Sequence, residues 1–184
     1  MRYGLTYRAH MSAFNEAKRE MEALGERLGE TIQICARDEG MMVVVGMSRG
    51  KDHFNVASDV GTRVPLNWTA SGRLLPGHLN DDARIRIFTE SARPSPTGRA
   101  ETDPVKLAKQ SRREFQERLA VQMGASEFSV ACIAAPIRDE SGTCAATISI
   151  VLPESRARAE TAKLAEKVRQ SARNVEIALG RKMA

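Results

Sequence analysis

Apolar positions recur along the chain with two periods. From Ser12 to Leu28, Phe14, Ala17, Met21, Leu24 and Leu28 fall on one stripe at helical spacing, and Gly29 marks the stop. The period then drops to two. In TIQICARD, Ile32, Ile34 and Ala36 alternate with Gln33, Cys35 and Arg37, which predicts a strand with two different faces. DEG is a turn, and MMVVVGM predicts a second strand, paired antiparallel with the first. HFNVASDV predicts a third strand ending at Gly61. Asn80 caps a helix begun by DDARIRIF, with acids in its first turn. ARPSPTGRAETD is a loop by composition, and Asp103 with Pro104 opens another helix, its buried side given to Val105, Ala108, Phe115 and Leu119. EFSVACIAAPIRD and CAATISIVL predict two strands joined by a turn. A last helix, about 154–179, carries Leu164, Val168, Ala172, Val175 and Leu179 on one face.

Strands arrive as neighbours and helices lie between the groups. That order predicts an α+β domain, an antiparallel sheet flanked by helices, rather than an alternating parallel fold. With 184 residues the chain is expected to be one domain, 1–184, large enough for a true core. No apolar run approaches the roughly 20 residues of a membrane span, and MRYGLTYRAH has no apolar signal region. Three widely spaced cysteines, Cys35, Cys132 and Cys144, do not form a disulfide framework, so a cytoplasmic location is expected. The net charge of +5 would suit a nucleic acid. Its lysines and arginines, however, are interspersed with acids along helices and lack interleaved aromatics, which argues for solvated helix faces.

Candidate chemistry is sparse. No phosphate-binding loop, HExxH or GxSxG occurs, and His10, His53 and His78 have no partners at metal-ligand spacing. No metal, no cofactor and no catalytic residue is expected. A nucleophilic Cys132, the enzyme alternative, would need a neighbouring base that nothing in the sequence nominates. ACIAAP and CAATIS instead put small side chains on strands. Either a helix packs closely over them or they leave a cavity for a small molecule.

Three stretches resemble one family. LGERLGETIQICARDEGMMVVV, GTRVPLNWTASGRLL and ACIAAPIRDESGTCAATISIVLP, in that order, are similar to the C-terminal effector-binding domain of IclR-type bacterial transcriptional regulators. The middle stretch is the most specific. The resemblance implies a GAF-like sheet, a small organic acid as effector (aromatic acids included), and assembly as a homo-oligomer, dimer or tetramer. It also implies DNA contact only through an N-terminal winged helix-turn-helix, absent from this chain, whose start resembles the junction after such a module. It implies a ligand site as well. Ala70 and Ser71 match the family's pocket loop, Cys132 its pocket cysteine and Ser149 its pocket serine. Val130 shares the Cys132 face and Val151 the Ser149 face by period two. Gly72 is expected to let the backbone approach the sheet closely. Departures from the pattern imply a different ligand from that of some relatives: Asn67 for the usual His, Trp68 for a small residue, Gln122 for a frequent acid, Ser129 for a usual Gly and Val151 for a second serine. The alternatives that stay open are a stand-alone ligand-binding protein and a Cys132-dependent enzyme.

Overall fold

The computed structural model describes the backbone of residues 2–51, 54 and 56–180, with side chains from Ser12 onward. The first helix, α1, spans Arg2–Leu28, starting ten residues before the expected point because nothing in 2–11 breaks helical geometry. Strands β1 (Thr31–Asp38) and β2 (Met41–Ser48) form the expected hairpin. The third strand is a correction. HFNVASDV lies partly outside the described residues, and its described part is irregular; β3 is the short Arg63–Pro65. A turn accounts for the shift. Thr62 N–H donates to Asp59 O (2.9 Å), Gly61 sits at φ 92, and its N–H donates to Val44 O (2.8 Å). Gly61 and Thr62 bond Val44 of β2 from within the turn, and regular pairing runs from Arg63. Val56 instead turns inward against Val130 and Val151.

After β3 come a 3-10 turn (Leu66–Trp68) and the short helix α2 (Ala70–Leu74), followed by α3 (Asp81–Ser91) and α4 (Pro104–Glu117). Asn80 and Asp103 cap α3 and α4 as expected: Asn80 Oδ1 accepts from Ala83 N–H, and Asp103 Oδ1 from Val105 and Lys106 N–H. Strands β4 (Ala120–Met123), β5 (Val130–Arg138) and β6 (Cys144–Pro153) and helix α5 (Glu154–Ala178) complete the chain. The six strands form one antiparallel sheet in the order β3-β2-β1-β6-β5-β4. The fold is the α+β arrangement expected from the pattern.

Period-two alternation gives the sheet two unlike faces. One carries Ile32, Ile34, Ile133, Ile137, Ile148, Ile150 and Leu152, covered by Met21 and Leu24 of α1 and by Leu164, Val168 and Val175 of α5. The other carries Cys35, Cys132, Ala134 and Cys144, and here Ala70 and Leu74 of α2 pack, backed by Phe88, Leu107 and Phe115. Small side chains are what let so short a helix sit directly on the strands.

Two further expectations are corrected. Val105 is 47% exposed in the first turn of α4. The buried face of α4 runs through Leu107, Ala108, Ser111, Glu114 and Phe115, because Ser111 and Glu114 turn inward to bind Arg73. Phe128, read as part of the Cys132 strand, is 61% exposed. Ser129 adopts φ 65, the left-handed conformation that favours glycine, and so ends the alternation before β5 begins.

One histidine ties the fold to pH. His78 Nδ1 accepts from Cys144 N–H (3.2 Å), and the ring lies 6.2 Å from Phe115. Burial, then the Arg37 charge, hold its pKa below the ordinary histidine value, with Asp139 pulling the other way. The neutral ring is the folded form. As pH falls below the unfolded value of about 6.5, the unfolded chain takes up the proton first and stability is lost until the folded pKa is passed. Melting temperatures measured from pH 7 to pH 5 should fall more steeply for the wild type than for His78→Gln.

Candidate ligand site

The cavity opens on the small-residue face, beyond the start of α2. Its volume is about 200 Å³. Its floor is a row of cross-strand neighbours, Val151, Cys132 and Gln122, on β6, β5 and β4. The lining also takes in Met42, Val44 and Val64, the segment Val56, Ala57 and Ser58, and Ser126, Glu127 and Val130, with Val56 packed on Val130. Trp68, Thr69 and Ser71 close it from the side of α2.

Of the positions singled out from the sequence, Trp68, Ser71, Gln122, Val130, Cys132 and Val151 meet on this cavity. Ala70 and Ser149 do not line it. Ala70, the first residue of α2, is fully buried in the core. Ser149 pairs with Ala134, one row further under the helix, and is 1% exposed. Positions missed by sequence reasoning come from β2 and β3 (Met42, Val44, Val64), the 56–62 segment, Thr69, the Ser126–Glu127 turn and Gln33, whose Nε2 donates to Ser58 Oγ (2.7 Å) and holds that segment to β1. The only signal for Gln33 was its place among the polar positions of TIQICARD.

The loop before α2 is fastened from outside the cavity. Asn67 is 1% exposed; its Nδ2 donates to Arg93 O (2.8 Å) and Glu101 O (2.9 Å), and its Oδ1 accepts from Arg93 N–H (3.2 Å). This departure from the family pattern therefore binds the 93–101 loop rather than facing the cavity. Trp68 Nε1 donates to Arg93 O (3.0 Å), which fixes the ring. Thr69 caps α2 by accepting from Gly72 N–H (2.9 Å), and its hydroxyl donates to Met42 Sδ (3.0 Å). Gly72 approaches the Leu66 backbone and not the sheet: an added Cβ would lie 2.2 Å from Leu66 O.

The polar end of the cavity is neutral. Gln122 orients its amide oxygen to accept from the backbone N–H groups of Ser126 (3.1 Å) and Ala125. Ser71 is 1% exposed and its hydroxyl has no oxygen or nitrogen partner. Its polar neighbours are the thiols of Cys35 and Cys132, which are weak acceptors. Burial pushes the Cys132 thiol pKa up, outweighing the opposing effects of Ser149, Ser71 and Arg73. Burial likewise raises Cys35 and Cys144 to about 12. A protonated thiol is a poor nucleophile, so this environment does not activate Cys132. Among the described residues no cluster of three or more His, Cys, Asp or Glu is placed to hold a metal; His53 and the His10 side chain lie outside them. No helix among the described residues is long and apolar enough to cross a membrane.

Comparison with known proteins agrees with this architecture. Residues 5–177 match the family described as bacterial transcriptional regulator IclR C-terminal. The chain is 27% identical over 155 residues to the HTH-type transcriptional repressor AllR of Salmonella typhi, covering 84% of this chain and 57% of that protein. It thus spans a little over half the length of the curated relatives it matches. A transcriptional regulator from Rhodococcus sp. RHA1 superposes with a TM-score of 0.85 at 24% identity, covering 97% of this chain and 74% of that one. An IclR homologue from Microbacterium hydrocarbonoxydans, solved in complex with 4-hydroxybenzoate, gives 0.81 at 22% identity, covering 93% and 69%. The chain therefore belongs to the IclR C-terminal family of bacterial transcriptional regulators.

Proposed function

We propose that this domain senses a small organic molecule, bound between α2 and the small-residue face of the sheet, and passes its presence to a DNA-binding module. The observation that carries the reading is the buried, unpartnered Ser71 hydroxyl on the wall of a cavity that is otherwise largely apolar. A buried hydroxyl without a partner costs stability that a ligand oxygen or nitrogen would restore. A volume of about 200 Å³ suits a ligand of roughly one ring. An organic acid, aromatic acids included, is the class the family resemblance implies, and the 4-hydroxybenzoate complex of a protein with the same fold makes that class the first to screen. The backbone N–H of Ser71 is set against the Cys132 sulfur, a weak acceptor that a ligand oxygen would replace. On this reading the chain works in the cytoplasm as a homo-oligomer, a dimer or tetramer, and contacts DNA only through an N-terminal module. Ligand binding would bias the equilibrium between subunit arrangements.

The test is a thermal-shift screen of small aromatic and aliphatic acids, amides and alcohols. A true effector at ~100 times its Kd adds ~2.7 kcal/mol of apparent stability. Ser71→Ala should leave the unliganded protein as stable as the wild type, since the lost hydroxyl had no strong partner, and should weaken the effector by roughly tenfold. A variant that melts early without ligand would show that Ser71 serves packing and not recognition. The raised thiol pKa disfavours the Cys132-dependent enzyme; rapid alkylation of Cys132 at neutral pH would restore that alternative.

A further inference from the structure

We infer that the effector carries a positively charged nitrogen, an amine or amidine, read by Glu127 together with the face of Trp68. The inference rests on the reading of this cavity as the effector site and names the chemistry of one end of the ligand.

Glu127 is the sole charged side chain among the described residues lining the cavity, and it is half-buried. The arginines around the site are already engaged. Arg73 is bound to Glu114 through Nε (2.8 Å) and Nη2 (2.9 Å). Arg49 lies 3.6 Å from Asp59, and its Nη2 donates to Ser58 O (3.4 Å). Arg99 stands 5.4 Å from the centre of the Phe128 ring and 3.9 Å from Glu154. Glu127, by contrast, has no ion-pair partner among the described residues, so its charge is left to act on what enters the cavity.

Trp68 completes the arrangement. Its indole N–H is spent on Arg93 O (3.0 Å), so the ring is held in place and has aromatic carbon rather than a donor to offer the cavity. A fixed aromatic face and an unpaired carboxylate on one small cavity suit an ammonium group: the quadrupole and the charge both favour a cation. A carboxylate beside Glu127 would meet a like charge instead. The Ser71 hydroxyl, also on the lining, suits an oxygen acceptor. A ligand that carries an amine together with an acid or hydroxyl matches both.

The matched probes are 4-(aminomethyl)benzoate and 4-ethylbenzoate, which differ in an ammonium against a methyl on the same frame. Calorimetry on the wild type should show the ammonium compound binding on the order of tenfold more tightly, the size of one partly buried charge contact with an aromatic face. In Glu127→Gln the ratio of the two affinities should collapse towards one, and in Trp68→Leu it should fall in part. Equal affinities in the wild type, or a preference that survives Glu127→Gln, would overturn the inference while leaving an effector site in place. If neither probe binds but other compounds of the screen do, the inference falls alone. If nothing binds, it falls together with the effector reading.

Discussion

Glu114→Ala should destabilise the domain by roughly 3–5 kcal/mol, a large share of the 5–15 kcal/mol typical of a folded protein. Glu114 and Arg73 are each 7% exposed at the side chain, and their contact is two-pronged, at 2.8 and 2.9 Å. Arg73 Nη2 also donates to Val121 O (3.0 Å), and Ser111 Oγ donates to Arg73 O (2.5 Å). One guanidinium thus joins α2, α4 and β4. Taking away the carboxylate leaves a buried cation with a single carbonyl partner, and its desolvation is no longer offset. Removing both charges is different: Arg73→Met with Glu114→Leu should recover most of the loss, because the desolvation penalty disappears with the ions. Urea denaturation of the two variants checks this. A loss below about 1 kcal/mol in the single variant would mean that water reaches Arg73 readily and that the pair is a surface contact in energetic terms. Because α2 forms one side of the cavity, the single variant should also weaken any effector found by screening.

The second large effect is expected at Gly72. Alanine is worth up to about 1 kcal/mol more than glycine inside a helix, so propensity alone predicts that Gly72→Ala stabilises α2. Geometry decides the other way. The new Cβ would lie 2.2 Å from Leu66 O, 2.8 Å from Leu66 C and 2.9 Å from Leu66 Cα. All three are backbone atoms, and Leu66 is fully buried, so relief requires the 3-10 turn to separate from α2. Overpacking of that kind costs about 1–3 kcal/mol, and more where backbone must shift. Moving the turn also moves Trp68, on the cavity wall. Gly72→Ala should therefore melt early and bind effector weakly. An unchanged melting temperature would show that the turn is free to move.

Much of the fold was legible because local pattern and tertiary contact agree. The period-two alternation of TIQICARD and CAATISIVL corresponds to real faces, with Ile32, Ile34, Ile148 and Ile150 on one side and Cys35 and Ser149 on the other. The caps at Asn80 and Asp103 are chemistry between residues two or three apart and needed no wider context. HFNVASDV misled because β-propensity says nothing about whether a partner edge lies alongside. The 59–62 turn brings the chain onto β2 at Val44, and the regular ladder begins only at Arg63. Val105 misled because a helix stripe was assigned by hydrophobicity, whereas Ser111 and Glu114 reached the interior by bonding to a residue some forty positions away.

The site divides along the same line. Period two puts Val130 with Cys132 on one face of their strand and Val151 with Ser149 on one face of theirs, and the sequence by itself shows that these strands carry small side chains; that Gln122 joins the row is decided by the pairing of β4 with β5. Whether such a face is filled or hollow depends on what lies above it, and that is a matter of long-range placement. The structure does both. Where α2 rests, the hydroxyl of Ser149 is sealed and Ala70 is core; beyond the start of α2, the same face is open and Cys132 lines a cavity. The boundary is drawn by the Arg73–Glu114 contact, the close approach of Gly72 to Leu66, and the Asn67 bonds to the 93–101 loop. Each joins residues distant in the chain or sterically matched only once folded. Such contacts leave no periodic trace in the sequence, so it specifies the wall of the site while tertiary packing alone decides the room in front of it.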